Sequence, residues 1–171
     1  LGQQHSPKVV GIFETCVWLE NRGIKNVLSM NKGGTQEVDG IKFTMVHADH
    51  SCGILEEDGT ISYGGEAVGY IIEFENGFRI YHTGDTAVFS DMKLISEIYK
   101  PELVLMPIGD LYTMSPLEAS YACRFLNVKK VIPMHYGTFP ALTGTPAKLR
   151  ELTKDIQGLE ILDIKPGETL S

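Results

Sequence analysis

The chain has 171 residues, 43% of them hydrophobic and 9% aromatic, a composition that supports one folded unit burying about two-thirds of its unfolded surface. Fifteen Lys and Arg against 22 Asp and Glu give a formal charge of -7, which excludes a general electrostatic grip on the phosphate backbone of nucleic acid. No apolar run approaches the roughly 20 residues of a bilayer span, no basic-then-apolar leader opens the chain, and Cys16, Cys52 and Cys123 form no Cys-x-x-Cys pair, so a soluble protein of a reducing cytosol is expected rather than a disulfide framework or a zinc knuckle.

In chain order, "LGQQHSP" reads as the last turn of a helix, and the expectation is that a segment precedes Leu1. From Lys8 to Asn31 the rhythm is β-α-β: a short strand at Val9, a helix over Phe13 to Asn21 stopped by Gly23, and a strand at Val27 to Met30. The next stretch is antiparallel in texture, with strands near Gln36 to Val38, Ile41 to Val46, Gly69 to Phe74 and Phe78 to Tyr81. "VDGI" and "ENGF" supply the Asp-Gly and Asn-Gly pairs that favour tight hairpins. Ser51 to Ala67, rich in glycine and acidic residues, is read as a loop. After Asp85 the α/β alternation returns. A helix is expected over Ser90 to Tyr99 with Ser90 as N-cap, a buried strand in "PELVLMPIG", a helix over Ser115 to Leu126, a strand at Lys130 to Met134, a helix over Thr145 to Ile156 and a last strand at Leu159 to Ile164. No repeat or linker interrupts this order, so residues 1–171 are read as a single α/β domain.

Polar residues cluster where strands end. "YHTGDT" places His82 and Asp85 at the end of one strand, "HADHS" places His47, His50 and Ser51 at the end of another, and "PMHYGT" places His135 after a third. A carboxylate buried there without a partner would cost several kcal/mol, roughly, or become protonated, so a cation or a hydrogen-bond network is expected beside Asp85. The carboxyl ends of strands in an α/β sheet form the crevice where ligands bind, and His with Asp is a donor set suited to Zn²⁺, Mn²⁺ or Fe²⁺. Each residue also has an ordinary role: Asp85 and Asp110 suit turns, Cys52 suits a small buried hydrophobe with soft ligation as the alternative, and an isolated histidine such as His5 or His47 is more often structural than ligating. His82, on the strand itself, is read as a hydrogen-bonding neighbour of the ligands rather than a ligand.

The joint order "ADHS", "YHTGDT", "LMPIGD" and "IPMHYGTFP" resembles the metallo-β-lactamase superfamily, and within it the small UlaG-like metal-dependent hydrolases. The resemblance implies an αββα sandwich of which this chain is the C-terminal portion, because the family's His-x-His-x-Asp-His motif is absent from it. It implies His50 as a ligand of the first metal, Asp85 as the bridging, catalytic carboxylate and His135 as a ligand of the second. Ser51, Thr86 and Asp110 then join His82 around the ligands, with Tyr136 and Thr138 on pocket-lining loops. Two divalent ions about 3.5 to 4 Å apart would activate a water against a carbonyl or phosphoryl centre of a small molecule. Neither a nucleic-acid nor a membrane partner is implied, and a homo-oligomer stays open. The competing reading is a non-catalytic binding or scaffolding module that keeps the fold without metals.

Overall fold

The computed structural model describes residues 2–169. A single helical turn, α1 (Gly2–His5), precedes β1 (Val9–Ile12), α2 (Phe13–Glu20) and β2 (Val27–Met30), and β1 and β2 pair in parallel across that crossover helix. Leu1, the first residue of the segment read as a helix end, lies outside the described residues.

Seven strands then build the main sheet, in the spatial order β11-β10-β9-β8-β7-β4-β3. β3 (Thr35–Val38) and β4 (Ile41–His47) form a hairpin across Asp39 and Gly40, both at positive φ (53° and 81°), the backbone that an Asp-Gly pair adopts most readily. β7 (Val68–Glu73) turns into β8 (Arg79–His82) through Asn76-Gly77, where Gly77 at φ 82° follows a turn closed by its own amide on the Phe74 carbonyl. β9 (Leu103–Pro107), β10 (Lys130–Met134) and the two-residue β11 (Glu160–Ile161) continue the sheet in parallel with β8. Because β4 and β8 both run antiparallel to β7, β4, β8, β9 and β10 point the same way. Their carboxyl ends share one edge.

Residues 51–67 are not the structureless loop that their composition suggests. They fold as a hairpin, β5 (Gly53–Leu55) with β6 (Ile61–Tyr63). Trp18 Nε1 donates to Glu56 at 2.8 Å and Arg22 pairs with the same carboxylate, which ties this hairpin to α2. Short strands closed by Asp58-Gly59 alternate too few apolar residues to be recognised from pattern alone.

Three helices cover one face of the sheet: α3 (Met92–Tyr99), α4 (Pro116–Leu126) and α5 (Pro146–Leu152). α3 starts one residue later than expected. Asp91, not Ser90, is its N-cap, with no side-chain cap bond, and the Ser90 hydroxyl instead donates to the Asp91 carboxylate. α4 opens on a complete capping box between Ser115 and Glu118 with Pro116 at its first position. α5 starts at Pro146 after its cap Thr145 but ends at Leu152, four residues short of the expected Ile156, because the Thr153 hydroxyl turns back onto the Leu149 carbonyl and the chain leaves the helix. The expected last strand shrinks in the same way to Glu160–Ile161.

Val46, Ile71, Tyr81, Val104 and Val131 project from five adjacent strands and bury against Met92, Ile95, Ala119, Ala122, Leu126 and Leu149 of the helices. Their sequence neighbours Tyr70, Ile72, Ile80, Leu105 and Ile132 point the opposite way and are only half-buried. The β1–β2 pair lies over part of that second face, where the Tyr70 hydroxyl donates to the Val10 carbonyl at 3.2 Å. No helix among the described residues is long and apolar enough to cross a membrane.

Candidate metal centre

The "YHTGDT" segment sits where β8 stops because its backbone is forced to turn. Gly84 has φ 66°, and a Cβ there would lie 2.4 Å from the Val68 carbonyl oxygen, so only glycine fits. Thr83 continues the ladder to β9 through its amide on Leu105 O (3.0 Å), and the turn then aims Asp85 outward, with a half-exposed carboxylate. Thr86 is fully buried. Its hydroxyl accepts from the Asp49 amide at 2.9 Å and donates to Ala87 O at 2.7 Å, while its carbonyl accepts from Met114 N. Together with Ala87 N on Asp49 O, these bonds fasten the loop after β4 and the loop after β9 to either side of Asp85.

His135 follows β10 in the left-handed region, φ 54°, a conformation that a non-glycine residue holds only when its surroundings enforce it. The enforcement is visible: a Cβ on Gly109 would stand 2.0 Å from the His135 carbonyl oxygen, so the two loops touch backbone to backbone. His135 Nε2 thereby lies 3.7 Å from Asp85 Oδ2, and its Nδ1 is buried without a hydrogen-bond partner. That separation exceeds a hydrogen bond. Two donors each about 2.1 Å from one tetrahedral ion stand roughly 3.4 Å apart, so the spacing of Asp85 Oδ2 and His135 Nε2 suits two ligands of one divalent cation, while Nδ1, across the ring, cannot reach the same ion.

His50 comes to the same edge three residues after β4 and shares with Asp85 a cleft that also borders β1 and α2. Its Nδ1 lies 2.8 Å from Ser51 O and its Nε2 2.9 Å from Tyr112 O. A neutral imidazole carries one proton and donates to one of the two carbonyls; its other nitrogen then faces a carbonyl oxygen, an acceptor against an acceptor. The structure brings Asp85 and His135 together and sets His50 on the neighbouring wall. Among the described residues no cluster of three or more His, Cys, Asp or Glu side chains is close enough to hold an ion alone.

The other sequence candidates take distinct places. His82 accepts the Gly84 amide at Nδ1 (3.1 Å) and faces the half-buried side of the sheet beside Phe43 and Tyr70; burial pushes its imidazole below the ordinary range, with the Asp85 charge opposing. Ser51 offers its carbonyl to His50. Asp110, at φ 70°, caps its own turn through Leu111 N at 2.8 Å. Tyr136 donates to Asp163 at 3.0 Å, on the far side of β10. His47 packs edge-on against Phe89 and near Lys32, and Cys52 points its thiol at Gly64 O. Sequence reading passed over Tyr112, whose carbonyl meets His50; its backbone role leaves no trace in residue type, although an aromatic in a Gly-Asp turn is a signal of exposure.

Comparison with known proteins agrees with this arrangement. Residues 6–136 match the model of the beta-lactamase superfamily domain. Over 171 residues the chain is 53% identical to a UPF0173 metal-dependent hydrolase of Koribacter versatilis, covering 100% of this chain and 72% of the relative, and over 168 residues 54% identical to one of Solibacter usitatus, with 98% and 72% covered. Igni18, a metallo hydrolase from the archaeon Ignicoccus hospitalis, superposes with a TM-score of 0.83 at 31% identity over 98% of this chain and 69% of its own. The chain belongs to the beta-lactamase superfamily and, within it, to the UPF0173 metal-dependent hydrolases. Its mixed sheet with helices on one face is part of the metallo-β-lactamase fold.

Proposed function

We propose that this chain contributes one side of a two-ion centre for hydrolysis of a small-molecule carbonyl or phosphoryl substrate. His50 would serve one ion, His135 the other, and Asp85 both. The observation that carries this reading is the Asp85–His135 pair, with Oδ2 and Nε2 3.7 Å apart. Divalent ions at such a site lower the pKa of water toward about 7 and polarise the electrophilic oxygen.

The chain's own residues do the positioning. Asp85, a carboxylate with two acceptor oxygens, accepts no hydrogen bond from the described residues and sits on a turn locked by Gly84 and by the Thr86 hydroxyl. With Nδ1 donating to Ser51 O, His50 would offer Nε2 to an ion once the Tyr112 carbonyl, 2.9 Å from it, moves aside. A catalytic zinc takes three protein ligands plus water, and the described residues do not gather three. The remaining ligands are therefore assigned to residues beyond this chain, in keeping with relatives of which it spans 72%.

Calorimetric titration with Zn²⁺ and Mn²⁺ tests this. The chain should take up metal weakly, and Asp85→Asn and His135→Ala should each abolish what binding there is. Tight binding of two ions by the 171 residues alone, or binding unchanged in both variants, would refute the assignment.

A further inference from the structure

We propose that the loop after β9, residues 110–114, is a latch on His50: the Tyr112 carbonyl and a divalent cation compete for the same imidazole nitrogen, so that taking up the ion and releasing the loop are one event. The proposal rests on the metal-binding reading of the site. His50 Nε2 lies 2.9 Å from Tyr112 O, and its Nδ1 2.8 Å from Ser51 O. Nε2 either carries the proton and donates to the Tyr112 carbonyl or offers its lone pair to an ion; it cannot do both.

The latched tautomer is the poorer one for Ser51. With the proton on Nε2, Nδ1 meets the Ser51 carbonyl as an acceptor against an acceptor. With the proton on Nδ1 the same contact becomes a hydrogen bond, the arrangement in which a carbonyl behind the ring orients a ligating imidazole. Releasing Tyr112 therefore mends one contact as it breaks another, which leaves the latch poised.

The loop is pinned at its roots and loose at its tip. Asp110 N donates to Met114 O at 3.0 Å, Met114 N to Thr86 O at 3.2 Å and Gly144 N to Gly109 O at 3.3 Å. Between these ties Leu111 and Tyr112 are 61% and 59% exposed, and Thr113 Oγ1 is buried without a hydrogen-bond partner among the described residues. Asp110 and Leu111 both hold left-handed backbone, φ 70° and 55°. An aspartate visits that region readily, but a leucine does so only at a cost. The contact with His50 holds the tip in that conformation, and opening recovers the cost.

Leu111 is the place to test the latch, because its side chain is exposed and its backbone is strained. Leu111→Asn favours the left-handed conformation and so the latched loop, whereas Leu111→Val, β-branched, disfavours it. Zn²⁺ affinity measured by calorimetry on the 171-residue chain should fall about threefold in the first variant and rise about threefold in the second, with circular dichroism confirming that both fold. Diethyl pyrocarbonate, which labels the free lone pair of a histidine, reads the latch without metal: labelling of His50, located by mass spectrometry, should be slower in Leu111→Asn and faster in Leu111→Val. Equal affinities, or shifts in the same direction in both variants, overturn the proposal. If the chain takes up no Zn²⁺ at all, the metal-binding reading fails, and His50 labelling decides the latch separately: rates in the expected order uphold it, equal rates overturn it.

Discussion

At the scale of single residues, His82 couples the sheet to pH. Burial disfavours its imidazolium more than the Asp85 carboxylate favours it, so its pKa in the folded protein lies below the ordinary 6.5. The unfolded chain then binds more protons across that interval, and the stabilisation is fully present above about 6.5 and lost as pH falls toward the folded value. His82→Asn should flatten this dependence: the urea midpoint should drop less between pH 7.5 and 5.5 than in the wild type, and an equal drop would show that His82 is not the group responsible. Gly109 supports the site sterically. Gly109→Ala places a methyl 2.0 Å from the His135 carbonyl and should cost about 1–3 kcal/mol in chemical unfolding, as overpacking does, while weakening metal uptake because His135 must move. These residues also mark how far the sequence could be read. "HTGDT" and "PMHYGT" announced a polar strand-end cluster by residue type, but nothing in either motif states that His135 adopts φ 54° or that Tyr112 turns its carbonyl to His50, since backbone orientation is set by loops that meet only in the fold.

Among the elements, α4 shows local chemistry at its most legible. Ser115, Pro116 and Glu118 spell a helix start, and the Ser115 hydroxyl does accept from the Glu118 amide while the Glu118 side chain reaches back to Ser115 N at 2.9 Å. Ser115→Ala should cost about 1 kcal/mol in thermal or urea unfolding; a loss below a few tenths would mean that tertiary packing alone sets the helix start. β10 was legible to the residue, Lys130–Met134, because a continuous apolar run between polar ends has no competing period. The failures differ in cause. Ser90 looks like a cap but Asp91 holds that position, and the hairpin of β5 and β6 hides in a glycine-rich acidic stretch. For the hairpin the deciding contacts come from elsewhere in the chain, as with Trp18 on Glu56, and propensity yields to them; at α3 the Ser90 hydroxyl is taken up by its own neighbour, Asp91.

For the whole molecule, burial is one-sided: the helical face of the sheet is closed, while Tyr70, Ile72, Leu105 and Ile132 on the other are half-covered. Truncations on the closed side should therefore be the costly ones. Leu149→Ala, at a fully buried position of α5, should lose about 2–5 kcal/mol, whereas Ile72→Ala should lose clearly less; equal losses would mean that the second face is better packed than its exposure indicates. The strand order has a separate consequence for how the protein meets other chains. Its two rims are β11, two residues long, and β3, which carries Gln36 and Glu37 in a four-residue strand beside the β3–β4 turn. Short, charged margins give an incoming strand little backbone to zip onto. Crowded solutions of this protein should thus resist fibril growth by edge-to-edge addition even though a broad apolar face is available, and whatever self-association occurs should be face-to-face, dissolving with mild detergent rather than persisting as cross-β.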